Sequence, residues 1–252
     1  MERMKRKKVH WLPSLVCALV VLFSVHPCKA AGEPAVMLGE ILKKVEYNYQ
    51  QTQAFTAYFR QMTTSAAASA MVTEASGKLF YEKPKQMRWE YDKPEPQTFV
   101  ANQQLAWLHV PAEKQISLYD AKALFASPLA QMFFEGVVEL KNNFDVTLDL
   151  NQSNVAKAVL KLVPKKEDPQ IKKLYLWIDL PAYRISAVES HDALGNTNKI
   201  ILESQVVVPT LDAKLFQLEI PQATVVMDME GKQLTTSEID NLKRKLSGSR
   251  KN

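Results

Sequence analysis

The sequence predicts a mainly β protein with two or so helices, its strands forming one antiparallel sheet rolled into a barrel or half-barrel. Three observations predict it. From Gly77 onward, short apolar-aromatic runs are ended by proline or clustered charge, the pattern of antiparallel strands joined by tight turns. Within the runs large residues alternate with charged ones, as Met87, Trp89 and Tyr91 do with Arg88 and Glu90. One amphipathic helical pattern stands ahead of them all, and its apolar stripe needs a sheet to lie on.

Taken in order, residues 1–10 carry Arg3, Lys5, Arg6, Lys7 and Lys8; Trp11 to Val25 is almost wholly apolar; Pro27-Cys28-Lys29-Ala30 follows. That basic, apolar, small-residue order reads as a secretory signal peptide, with cleavage expected after Ala30. The apolar run is 15 residues, short of the roughly 20 that cross a bilayer as a helix. Proline before Cys28 fits a lipid-attachment box poorly, so the exported chain is expected to carry no lipid of its own. The expected organisation is a leader over 1–30, one β domain over 31–227 and a polar, basic tail over 228–252.

The whole chain has 32 Lys and Arg against 27 Asp and Glu and a pI near 9.0. Six of those bases and one acid fall in the leader, so the remainder balances at 26 each. Nucleic acid is therefore not an expected partner. Cys17 and Cys28 leave with the leader, and the 222 residues that remain suit one domain with a core of its own.

The helical pattern covers Pro34 to Tyr49, with Leu38, Ile41, Leu42, Val45 and Tyr49 on one face. Phe55, Ala57 and Phe59 open the sheet by alternation, and Thr64 to Ala70 is a loop of small residues. Leu79 and Tyr81, then Met87, Trp89 and Tyr91, then Leu105, Trp107 and His109, then Ile116 and Leu118, read as the bulky positions of successive strands gathered on one face. Periodicity does not separate a filled core from the wall of a cavity. Leu124, Phe125, Leu129, Met132, Phe133 and Phe134 form a compact apolar segment in which Ser127-Pro128 offers an N-cap and first helical position, so a short helix is expected over Ser127–Phe134. Strands follow at 144–150, 155–163, 171–179, 184–191 and 197–208, and Leu215 to Ile220 reads as the last, about eleven strands all antiparallel. Leu234, Ile239, Leu242 and Leu246 leave the tail open between a loose helix and disorder.

The catalytic inventory is mostly negative. The sequence has no Gly-x-Ser-x-Gly, no His-Glu-x-x-His, no glycine-rich phosphate loop and no Cys/His cluster. His109 and His191 read as structural or solvent-facing, and Glu90 with Asp92 as solvated charges rather than a glycosidase pair. No enzymatic activity, metal or cofactor is expected.

The run Gly77…Lys83-Pro84…Met87-Arg88-Trp89-Glu90-Tyr91…Pro94…Gln97, followed by Leu105-Ala106-Trp107 and Val110-Pro111…Gln115-Ile116, resembles the periplasmic outer-membrane lipoprotein carrier family, LolA. Asp192-Ala193-Leu194-Gly195-Asn196-Thr197, and Phe216-Gln217-Leu218-Glu219-Ile220-Pro221…Val225-Val226, carry the resemblance into the C-terminal half. It implies an incomplete, half-open antiparallel β-barrel with a helical lid over a hydrophobic cavity. It also implies a monomeric, non-catalytic carrier whose cargo is acylated lipoproteins. An inner-membrane ABC-type complex would load it and an outer-membrane acceptor would unload it. The lipid-binding residues would be Leu79, Tyr81, Met87, Trp89, Tyr91, Leu105, Trp107, Met132 and Phe133, with methionine as the adaptable element. Lys83 stands where the family usually has arginine before the proline, and would latch the lid over Ser127–Phe134 without arginine's planar fork. Met87 stands where the family often has phenylalanine. The alternative function is a periplasmic sensor or adaptor that binds lipidated or peptide ligands with a related half-barrel and signals by protein contact.

Overall fold

The computed structural model describes residues 34–67, 71–126, 140–168 and 170–248. The leader over 1–30 and the helix expected over Ser127–Phe134, with Met132 and Phe133, lie outside the described residues.

An N-terminal helix, α1 (Pro34–Gln51), leads into six strands that follow one another in the sheet: β1 (Ala54–Ser65), β2 (Met71–Glu82), β3 (Gln86–Lys93), β4 (Gln97–Ala101), β5 (Ala106–Val110) and β6 (Gln115–Tyr119). Two short helices, α2 (Ala121–Ala126) and α3 (Leu140–Asn143), precede a second meander of β7 (Phe144–Leu148), β8 (Lys157–Pro164), β9 (Lys173–Asp179), β10 (Arg184–His191) and β11 (Thr197–Val208). The chain then runs through a 3₁₀ turn (Ala213–Phe216), β12 (Val225–Met227) and a closing helix, α4 (Thr236–Gly248). All twelve strands join one sheet in the order β12-β6-β5-β4-β3-β2-β1-β11-β10-β9-β8-β7. β12 and β7 are its two free ends, so the sheet is an incomplete barrel.

The seam between the two meanders is the β1–β11 pair, in register from Ala54 opposite Val208 to Thr64 opposite Thr197, with one bulge between Thr56 and Tyr58. At the far end the sequence expectation is corrected. β12 lies parallel to β6, Val225 beside Gln115, so the sheet is not wholly antiparallel. Leu215 to Ile220 is no ladder strand. It begins in the 3₁₀ turn, where the Asp212 side chain accepts a hydrogen bond from Lys214 N. Its apolar residues pin a strap across the sheet, with Phe216 buried and Leu215, Leu218 and Ile220 packed around it.

Both faces of the sheet carry apolar clusters. On the inner face α1 lays Ile41, Leu42 and Val45 on Leu160, Leu162, Leu174, Leu176 and Val188 of β8–β10. That cluster continues across β10 and β11 through Val188 opposite Ile200, then over the seam through Leu202 opposite Phe59, into a second one on β1–β3. On the outer face, Val100, Trp107, Ile116 and Leu118 of β4–β6 and Val226 of β12 are covered by Phe216 and the apolar residues of α4, namely Ile239, Leu242 and Leu246. The tail is therefore helical and packed up to its last turns. A capping box starts it: Glu238 Oε2 accepts from Thr235 N at 2.8 Å and from Thr235 Oγ1 at 2.7 Å, and Glu238 N donates back to Thr235 Oγ1 at 3.4 Å.

Candidate functional site

The second inner cluster is built from strand alternation. Tyr81 pairs with Met87 and Leu79 with Trp89 across β2 and β3, and Phe55 and Ala57 sit opposite Tyr81 and Leu79 across β1 and β2. Directly paired residues share a face, so all these side chains converge. Phe59 meets Trp89 edge-on at 4.8 Å between ring centroids and Tyr91 at 4.9 Å, while Phe55 stacks on Tyr81 at 5.1 Å. Trp89 Nε1 donates to Met87 Sδ, and Tyr91 Oη donates to Gln61 Oε1 at 3.1 Å. Ala57, Ala101, Ala106 and Ala121 are buried among these rings, so the face alternates large soft groups with methyls. Burial raises the pKa of the Tyr81 and Tyr91 hydroxyls, and both stay neutral phenols across the physiological range.

Gly77 makes this geometry possible. It pairs with Phe59 on one side and Tyr91 on the other, and a Cβ there would stand 1.8 Å from Glu90 O. The Phe59 and Tyr91 rings meet across a position that has no room for a side chain.

α2 covers this face and the end of α1 borders it, and the β2–β3 turn touches both. Lys83 Nζ donates to Tyr49 O at 2.5 Å and lies 3.8 Å over the Tyr49 ring, in the last turn of α1. A cation suits that place, where the final carbonyls lack helical partners and the helix dipole is negative. Burial lowers the Lys83 pKa, and Glu46 opposes the shift. Gln53 and Lys83 also exchange two hydrogen bonds, Lys83 N to Gln53 O and Gln53 Nε2 to Lys83 O. Lys85 Nζ lies 5.6 Å over the ring of Phe125 in α2, and Phe125 and Ala121 complete the inner cluster. The described contacts of Lys83 are thus with α1, and the segment Ser127–Phe134, where the sequence placed its latch, lies outside the described residues.

Of the residues singled out by sequence, Leu79, Tyr81, Met87, Trp89 and Tyr91 are brought together. Leu79 is 2 % and Trp89 8 % exposed. Leu105 and Trp107 are not with them. Val100 opposes both Arg88 and Trp107 across β3–β5, whereas Met87 and Ala106 both oppose Ala101. Trp107 therefore faces outward, 3 % exposed in the cluster that holds Phe216. Nor are β3 and β5 adjacent, since β4 lies between them. Sequence reasoning missed Tyr49, Phe99, Phe125 and Lys85 as members of the site. The helical spacing of Tyr49 and the position of Lys85 beside Pro84 were the available signals.

His109 sits on the outer face, its pKa lowered by burial and by Arg88. His191 lies 2.7 Å from Glu189, which also pairs with Lys199 at 3.0 Å. Among the described residues, no three His, Cys, Asp or Glu side chains gather as a metal site. What the inner face offers is apolar area beneath a short helix.

A family model described as "Outer membrane lipoprotein carrier protein LolA" matches residues 50–219. The outer-membrane lipoprotein carrier protein of Methylobacillus flagellatus is 28% identical over 215 residues, covering 85% of this chain and 96% of that one. Its namesake from Azotobacter vinelandii is 23% identical over 210 residues, covering 82% and 94%. Among solved structures, a LolA superfamily protein from Nitrosomonas europaea superposes with a TM-score of 0.40 at 13% identity, over 71% of this chain and 97% of that one.

Proposed function

Because the chain belongs to the outer membrane lipoprotein carrier family LolA, we propose that it carries acylated lipoproteins across the periplasm from the inner to the outer membrane. The observation that supports this reading is the aromatic and methionine face of β1–β3, which α2 covers and the end of α1 borders, one turn touching both helices through Lys83 and Lys85. An acyl chain of ~14 methylenes at ~0.8 kcal/mol each costs on the order of 11 kcal/mol to expose to water, so three chains cost about 30 kcal/mol. A tightly packed core has no room for such chains. A face covered by a six-residue helix that buries only Ala121 and Phe125 can be uncovered at smaller cost than a core.

In this proposal α1 and α2 move away as cargo enters, and Leu79, Tyr81, Met87, Trp89 and Tyr91 contact the acyl chains. An ATP-driven extractor in the inner membrane supplies the cargo and an outer-membrane acceptor receives it. The protein works as a monomer without catalysis, after residues 1–30 have been removed on export. Intact-mass measurement of the exported protein should give a chain that begins at Ala31 and carries no fatty acid; a retained Met1 would refute the leader.

The deciding experiment incubates the exported protein with spheroplasts that hold a matched transporter and ATP. Soluble acylated lipoprotein in complex with it is the expected result. No release under those conditions, together with stable binding to the periplasmic domain of a membrane regulator, would replace the carrier with a sensor.

A further inference from the structure

A cleft of about 320 Å³ opens where the β2–β3 and β4–β5 turns meet the strap that follows β11 and Leu246 of α4. Among the described residues its polar lining is five carboxamides, Gln86, Asn102, Gln103, Gln104 and Gln217, with no charged residue. Two of the five build the frame. Asn102 Nδ2 donates to Phe216 O at 3.0 Å, and its Oδ1 accepts from the backbone N–H groups of Gln104 and Leu105. Gln103 Nε2 donates to Pro84 O at 3.3 Å, which ties the two turns together. Among the described residues, the side-chain amides of Gln86, Gln104 and Gln217 make no hydrogen bond.

We infer that this cleft holds the stretch of polypeptide that follows the acylated N-terminus of the cargo, an inference that rests on the carrier reading. Position argues for it. Met87 belongs to the inner face, so by strand alternation its neighbour Gln86 points outward. The cleft thus begins one residue away from the lipid-contacting face, across the same turn that touches both helices. A chain leaving acyl groups on the inner side crosses the rim here.

Chemistry argues for it as well. A carboxamide presents one acceptor and an N–H donor group, the same pair as a peptide bond. Such a lining pairs with extended backbone whatever its side chains, and its neutrality accepts linkers of either charge. A carrier of many lipoproteins needs that indifference. A saccharide would look for an exposed aromatic platform, but the ring in the cleft, Phe216, is 3 % exposed.

The test uses the exported full-length protein and three ligands: diacylglyceryl-N-acyl-cysteine amide, the same group followed by a short uncharged linker, and that linker with N-methylated backbone amides. The linker should tighten binding about tenfold, the scale of one or two neutral hydrogen bonds. N-methylation and the double variant Gln104→Ala/Gln217→Ala should each abolish that gain and leave affinity for the acyl-cysteine unchanged. Equal binding with and without the linker, or a gain that survives both changes, overturns the inference and leaves the carrier reading standing. Displacement of the linker by an oligosaccharide also overturns it. Failure of the acyl-cysteine itself to bind would remove the carrier reading first.

Discussion

Lys83 Nζ stands 2.5 Å from the backbone carbonyl oxygen of Tyr49 and 3.8 Å above the centroid of that residue's own ring. One ammonium therefore holds both the end of α1 and the aromatic side chain that reaches Tyr81 through a 3.4 Å hydroxyl contact. Moving α1 away from the sheet breaks all of these contacts together.

Lys83→Leu should leave the sheet folded and shift α1 toward its undocked position. A hydrogen bond from a charged group is worth roughly 1.5–3 kcal/mol, and partial solvent exposure places this one near the lower figure, about tenfold in the docked ratio. Lys83→Arg keeps the cation and should keep docking. Transfer of cargo to outer-membrane acceptor at matched loading measures it. If wild type and Lys83→Leu transfer alike, the residue is only a helix cap.

The two faces of the sheet predict a split between tryptophans. With Trp107 and Trp177 replaced by phenylalanine, an acyl ligand should shift the emission of Trp89. With Trp89 and Trp177 replaced, Trp107 should report nothing, since it lies on the other side, in the cluster that holds Phe216. Trp89→Ala should weaken ligand binding more than it lowers stability. A loss of ~3–5 kcal/mol in denaturant melts, with affinity intact, would make the inner face a plain core.

Gly77→Ala should be among the most damaging single-methyl additions in the chain. The new Cβ would meet Glu90 O at 1.8 Å and Glu90 C at 2.8 Å, both backbone atoms. Overpacking typically costs ~1–3 kcal/mol, and a clash with backbone belongs at the top of that range or above it. Urea unfolding of the purified variant gives the number; a loss under ~1 kcal/mol would mean the β2–β3 pair separates easily.

Acid should loosen α4. The Thr235 backbone and hydroxyl hydrogen bonds hold the Glu238 carboxyl below its ordinary 4.5 in the folded chain, with help from Lys232 and opposition from Asp228. A depressed carboxyl pKa gives stability that is complete above the unfolded value and is lost as pH falls through the folded one. Helix content and protection of α4 amides should fall below pH 4.5, and Glu238→Gln should flatten that part of the profile. Asp149 and Asp192 are depressed too, by Gln152 and Asn196, so the comparison with Glu238→Gln isolates the share of the capping box. An unchanged acid profile in Glu238→Gln would show that the box does not hold the helix.

The inner face was legible because β2 and β3 alternate: Leu79, Tyr81, Met87, Trp89 and Tyr91 are separated by residues that remain polar or partly exposed. The signal failed at β4 and β5. Val100 and Ala101 are both buried, as are Ala106 and Trp107, because the strap and α4 cover the outer side of those strands. A sheet buried on both faces keeps no alternation, so no periodicity tells which way Trp107 points. The parallel β12 was unreadable for a different reason. Three residues carry no period, and their pairing depends on a strap whose path is set by Phe216. The capping box at Thr235 and Glu238 was in plain sight as Thr-x-x-Glu ahead of an apolar-periodic segment, and decides in favour of a helix where hydrophobic spacing alone left a choice.

The seam between β1 and β11 also sets an order of events. β1 through β6 are neighbours in both chain and sheet and can pair as soon as they emerge, yet β1 must wait for residues 197–208 before its second edge is filled. Contacts that join distant parts of a chain form slowly. A meander of β1–β6 alone would have an open hydrogen-bonding edge at β1, with the aromatic face of Phe59 and Trp89 beside it. An edge of that kind pairs readily with other chains, so β11 guards the sheet against association as well as completing it.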